Sequence, residues 1–146
     1  MSNFTIVLLV LGLVASLFVG SMVWAYQGTG SIDVVFLEVM PVPSELSKEV
    51  RSLFQQGVGQ YCRGQYRSSA NYFVQVLRVN PDLGVAYHNY ALALANQREI
   101  TKSTKAFIAA AERYTQVGDR LSADLVKQHL RTLKRSVKKE TPADAS

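Results

Sequence analysis

The sequence predicts an all-α protein, with a single transmembrane helix at the amino terminus followed by an array of helical hairpins that ends in a capping helix. Three observations carry this expectation. Residues 1–32 contain no charged side chain, residues 50–83 and 84–117 are two self-similar stretches of equal length, and residues 119–137 alternate leucines with basic residues at helical spacing. A chain of 146 residues has room for one modest domain and an accessory segment.

Charge divides the chain in two. Residues 1–43 contribute only Asp33 and Glu38, so all 16 Lys and Arg belong to the distal part, whose charge of +7, 16 cations less nine carboxylates, gives the chain its net +5. The single cysteine, Cys62, excludes an intramolecular disulfide framework and a multi-cysteine zinc site. With 48% hydrophobic residues spread along its length, the chain is not of disordered composition. No cofactor and no metal are expected.

From Phe4 to Tyr26 the chain reads FTIVLLVLGLVASLFVGSMVWAY. As a helix this run is about 35 Å long, enough for a hydrocarbon core of about 30 Å. Trp24 and Tyr26 stand at its distal end, where amphipathic rings favour the membrane interface. A cleaved secretory signal fits less well, because Met1-Ser2-Asn3 lacks a positive charge and the apolar run is too long. Residues 1–27 therefore read as a retained anchor. Gly12, Ser16 and Gly20 recur every four residues and give one helix face small enough for close packing on another membrane helix. The basic distal part and the free Cys62 favour a carboxy-terminal domain on the cytoplasm-like or stroma-like side.

Residues 28–43, GTGSIDVVFLEVMPVP, form a linker with Gly-rich turn chemistry at one end and two prolines at the other. Its apolar middle, Ile32, Val34, Val35, Leu37 and Val39, is too greasy for a free tether. Packing on the distal domain or contact with the membrane interface is expected.

The two stretches, 50–83 and 84–117, align residue for residue at a 34-residue period. In the first, Leu53, Gly57, Ser69, Phe73 and Val76 alternate large and small, Gly64 and Tyr66 mark a turn, and Asn80-Pro81 closes the unit. In the second, Tyr87, Ala91, Leu94, Ser103, Phe107 and Ala110 take corresponding places, with Arg98 and Ile100 in the turn and Thr115 where a proline is expected. Small residues let paired helices approach, and a large one fills the space between pairs. This pattern resembles the tetratricopeptide repeat family over residues 44–137. Helices are expected near 45–63, 66–79, 84–97 and 100–115, the first starting at Ser44 with Glu45 in its first turn.

Such arrays end in a polar-backed helix. In residues 119–137, Leu121, Leu125, Leu130, Leu133 and Val137 form the inward stripe, while Lys127, Arg131, Lys134, Arg135 and Lys138 form a basic outer face. That face is either solvated or directed at anionic lipid or an acidic partner. Residues 138–146 read as a disordered tail.

The resemblance implies a concave groove lined by the first helix of each pair. Phe54, Val58 and Tyr61 from the first unit, and Val85, His88, Leu92 and Asn96 from the second, are the residues implied to line it for a partner. This apolar, aromatic lining suits an apolar or amphipathic helical segment, unless the linker's own apolar run covers Phe54 and Val58. Cys62 and His88 form no convincing nucleophile and base pair, because no orienting group or oxyanion element accompanies them. Cys62 reads as a buried small hydrophobe, His88 as a surface histidine, and His129 as isolated. Nucleic-acid binding is not expected, for lack of stacking aromatics beside the basic residues.

These readings converge on a non-enzymatic, single-pass membrane scaffold that assists or accompanies a membrane protein complex. Its layout is similar to that of anchored assembly factors of photosynthetic complexes. A receptor for targeting presequences and a periplasmic chaperone adaptor are the alternatives.

Overall fold

The computed structural model describes residues 34–140. The expected anchor over residues 1–27, its small-residue face of Gly12, Ser16 and Gly20, and the tail beyond residue 140 lie outside the described residues. Among the described residues no helix is long and apolar enough to cross a membrane.

Five α-helices and no strand make up the described part: α1 (Lys48–Cys62), α2 (Tyr66–Val79), α3 (Gly84–Asn96), α4 (Ile100–Gln116) and α5 (Arg120–Glu140). Each packs chiefly on the next in sequence, and α1 also touches α3. Short turns between packed neighbours make consecutive helices antiparallel. An extended strap, residues 34–43, precedes α1 and belongs to the same compact unit.

Three of the four turns share one stereochemical device. The Gln65, Glu99 and Asp119 amides reach back five residues to the Gln60, Leu94 and Tyr114 carbonyls at 2.9, 3.0 and 2.8 Å. In each turn the preceding residue takes the left-handed conformation: Gly64 at φ 73°, Arg98 at 63° and Gly118 at 75°. The turn without glycine at this place thus adopts the same backbone, with Arg98 absorbing the strain.

The 34-residue period recurs in the packing. Ser69 Oγ donates to the Gly57 carbonyl at 2.9 Å, and Ser103 Oγ donates to the Ala91 carbonyl at 2.8 Å. Phe73 and Phe107, also one period apart, are fully buried. A Cβ at Gly57 would stand 3.0 Å from the Phe73 ring, so glycine there lets α1 and α2 close on one another. The most apolar helix is α3, whose run Ala91–Asn96 is buried throughout because it is covered by α2, α4 and the strap.

Two boundaries differ from expectation. α1 begins at Lys48, not Glu45, because Ser47 rather than Ser44 accepts the first-turn amide, that of Val50, at 3.4 Å. α5 continues through residues 138–140, beyond the capping helix expected over 119–137. Of the expected inward stripe Leu133 is buried but Leu121 is exposed, and Ala123 and Val126 make the contact at the start of the helix instead. Asp119 accepts from the Ser122 amide at 3.0 Å and so caps the start of α5; the Ser122 bonds hold its carboxyl below the usual range.

Candidate functional site

The strap lies along the side of the bundle formed by α1, α3 and α5. Phe36, near the start of the strap, is buried, while its neighbour Leu37 is 85% exposed. Its ring lies edge-on to Phe107 at 5.9 Å and tilted against His129 at 4.9 Å. Val35, Val39 and Met40 pack on the cluster around Leu92 and Phe107. Val39 and Val42 also pack on the cluster of Val50, Phe54 and Phe73.

Two asparagines of α3 fix the strap by its main chain. Asn96 Oδ1 accepts from the Phe36 amide at 2.9 Å, and Asn96 Nδ2 donates to the Phe36 carbonyl at 2.8 Å. Asn89 repeats the arrangement two turns earlier, accepting from the Met40 amide at 2.7 Å and donating to the Met40 carbonyl at 2.9 Å. Residues seven apart on a helix share a face, so one side of α3 presents both carboxamides to an extended chain. Tyr61 of α1 completes the inner site. Its hydroxyl donates to the Phe36 carbonyl at 2.7 Å and accepts from Asn96 Nδ2 at 2.9 Å. Burial pushes this phenol well above its usual range, so it remains a donor at every physiological pH.

Beneath Phe36 lies a chain of polar rings. His88 Nε2 and His129 Nδ1 are 2.8 Å apart, and His88 Nδ1 lies 3.3 Å from the Tyr114 hydroxyl. A hydrogen bond between two imidazoles needs one donor and one acceptor nitrogen, which neutral rings supply. Burial, with His129 adding to it, lowers the His88 pKa to about 3. Burial also lowers His129, opposed by the Glu38 carboxylate on the strap.

The residues assigned to a partner groove are therefore placed differently from expectation. Phe54 and Leu92 are fully buried, with Phe54 edge-on to Phe73 at 5.2 Å. Val58 and Val85 are half-buried against core clusters that include strap residues. Tyr61 and Asn96 do face the groove, but they hold the strap. The strap is thus an extended chain gripped through its amides, and it covers the residues expected to line a groove.

Cys62 and His88 exchange their expected environments. Cys62 is exposed at the end of α1, whereas His88 is buried and both its ring nitrogens have partners. The structure does not assemble them into a nucleophile and base. Nor is His129 isolated, since it completes the imidazole pair. Among the described residues no group of three or more His, Cys, Asp or Glu is placed to hold a metal. Lys127, Arg131, Lys134, Arg135 and Lys138 are all exposed on α5, and Lys127 pairs with Asp124 at 2.7 Å.

Three residues of this site went unrecognised in the sequence: Phe36, Asn89 and His129. The spacing of Asn89 and Asn96 was the available signal, because two carboxamides seven apart in an otherwise apolar helix need partners. Comparison with models of protein families, with curated proteins and with solved structures gives no match.

Proposed function

We propose that this chain is a membrane-anchored scaffold of the tetratricopeptide type, serving as an assembly factor or accessory subunit of a membrane protein complex. It works by holding a protein partner, and the repeat domain faces the cytoplasm-like or stroma-like side. The observation that carries the reading is the strap clamped onto the bundle by Asn89, Asn96 and Tyr61. It ties a helical-hairpin domain firmly to the polypeptide that leads back to the uncharged run of residues 4–26. The 34-residue recurrence of the Ser69 and Ser103 bonds supports the repeat assignment.

Because the strap covers the residues expected to line a groove, the partner meets its outer surface. There the strap offers Leu37, 85% exposed. Leu37 follows directly on the clamped Phe36, so its position is fixed, and the reading assigns it to the partner contact.

Mild-detergent purification of the full chain from its native membranes, with mass spectrometry of what accompanies it, tests this proposal. One membrane complex should co-purify with the native chain and with a chain carrying a foreign transmembrane helix, and Leu37→Asp should lose it. Absence of any reproducible membrane complex would contradict the reading.

A further inference from the structure

The strap enters the groove at one end of the array, and the charges of the molecule collect at that same end. Tyr61 and Asn96, at the carboxy-terminal ends of α1 and α3, meet at 2.9 Å, and Gln97 Nε2 donates to the Tyr66 carbonyl at the start of α2 at 3.2 Å. The turns of residues 63–65 and 97–99 are thereby neighbours, with Phe36 bonded beside them. The direction of α5 brings its last turns to this end as well. Both α3 and α5 are antiparallel to α4, and they are tied together at His88 and His129. Asn96 lies about 12 Å beyond His88 along α3, and residues 134–139 lie about 7 to 15 Å beyond His129 along α5.

Arg63, Lys134, Arg135, Lys138 and Lys139 consequently stand at the end where the strap enters, all exposed; Arg67 stands at the same end but on the side of α2, α3 and α4, near Glu99 and Lys102. Lys102, also at this end, is neutralised by Glu99 at 3.1 Å, and Glu38 lies on the strap near His129. At the opposite end, the carboxylates Glu45, Glu49, Asp82, Glu112, Asp119 and Asp124 are matched by an equal number of Lys and Arg, among them Arg113 paired with Asp82 and Lys127 paired with Asp124. The domain is electrostatically polar along the helix axes, positive where the strap enters.

We propose that this basic end is a docking surface for anionic lipid headgroups. The proposal rests on the anchored reading above. Between the uncharged run ending at Tyr26 and the first described residue, Val34, stand residues 27–33, at most about 25 Å of chain. The lead from the uncharged run therefore joins the domain at the end where the strap enters, the end that also carries the basic residues. That end carries the charge an anionic surface attracts. Each basic residue near such a surface raises its occupancy about fivefold, and salt screens the effect within about 10 Å. The surface is built from the turn after α1 and the last turns of α5, which distinguishes it from the outer stripe of α5, where Lys127 and Arg131 stand further from the strap entry.

Cys62 provides the probe, being the single cysteine, exposed, and next to Arg63. The full chain is spin-labelled there and placed in nanodiscs of phosphatidylcholine alone or with one-third phosphatidylglycerol, doped with a paramagnetic headgroup lipid. Relaxation enhancement at Cys62 should be strong in the anionic discs, weak in the neutral ones and reversed by 0.5 M NaCl on the order of the Debye argument. The combined K134E, R135E, K138E, K139E variant should lower the docked population on the order of a hundredfold. A label at the opposite end, Gln116→Cys in a Cys62→Ser background, should stay remote from the headgroups. An incorporated chain whose Cys62 label is no nearer anionic than neutral headgroups overturns the proposal and leaves the basic end to an acidic protein. A chain that never incorporates into the discs rejects the anchored reading, and the proposal falls with it.

Discussion

Asn96 holds both polar groups of Phe36, a residue 60 positions away in sequence: its Oδ1 accepts from the Phe36 amide and its Nδ2 donates to the Phe36 carbonyl. All three groups are buried, so each bond satisfies a polar atom that would otherwise lose water without replacement. The extended strap and the helical array are in this way parts of one fold.

Asn96→Ala strands the Phe36 amide and removes one of two donors from its carbonyl. Unfolding of the full chain in mild detergent should show a loss of about 2–4 kcal/mol, with a smaller loss for Asn89→Ala, whose partner Met40 is only half-buried. Equal stability of Asn96→Ala and the native chain would mean that the strap is not seated.

Phe36 and Leu37 are adjacent yet differ in kind. Phe36→Ala opens a cavity against Phe107 and His129 and should cost about 3–5 kcal/mol, whereas Leu37→Ala should lie within about 0.5 kcal/mol of the native chain. Leu37→Asp should retain stability while affecting partner capture, which separates recognition from folding.

The left-handed turn residues give a prediction of opposite signs. Arg98→Gly relieves backbone strain and should raise stability by about 1 kcal/mol, and Gly64→Ala introduces the same strain and should lower it by about 1 kcal/mol. Chemical denaturation of the two variants measures both.

The imidazole pair sets a pH dependence. His88 titrates near pH 3 when folded, below its ordinary value of 6.5, so the unfolded chain binds more protons between those limits. Stability from this group is complete above pH 6.5 and falls as the pH drops toward 3, by up to about 1.4 kcal/mol per pH unit. His129 acts in the same direction, moderated by Glu38, and Tyr114 stays protonated throughout. The double variant His88→Phe, His129→Leu removes both partners together and should flatten the profile between pH 4 and 6.5. A profile unchanged by that pair of substitutions would place the acid sensitivity elsewhere.

The all-helical core was legible because its information is local or periodic. Ser69 and Ser103, Phe73 and Phe107, and the Gly118-Asp119 turn each mark their place through spacing and turn chemistry. The strap was legible only as too apolar to be free. Phe36 was passed over in favour of its aliphatic neighbours, although it makes the deepest contact, since alternation within so short a segment does not say which face is covered. Asn89 and the pairing of His88 with His129 were hidden for the same reason. Their partners lie 49 and 41 residues away, and nothing in a helix's own periodicity identifies a bond at that distance. Cys62 and His88 show the limit of register arguments, since residues on nominally equivalent faces are exposed at the end of α1 and buried under the strap in α3.

The most direct test of the account is hydrogen exchange of the strap amides in the full chain, read residue by residue in mild detergent. Phe36 and Met40 should exchange far more slowly than Leu37, and Asn96→Ala should selectively release Phe36. Exchange of Phe36 and Met40 as fast as Leu37 would show an open groove and a free strap, and would contradict the scaffold described above.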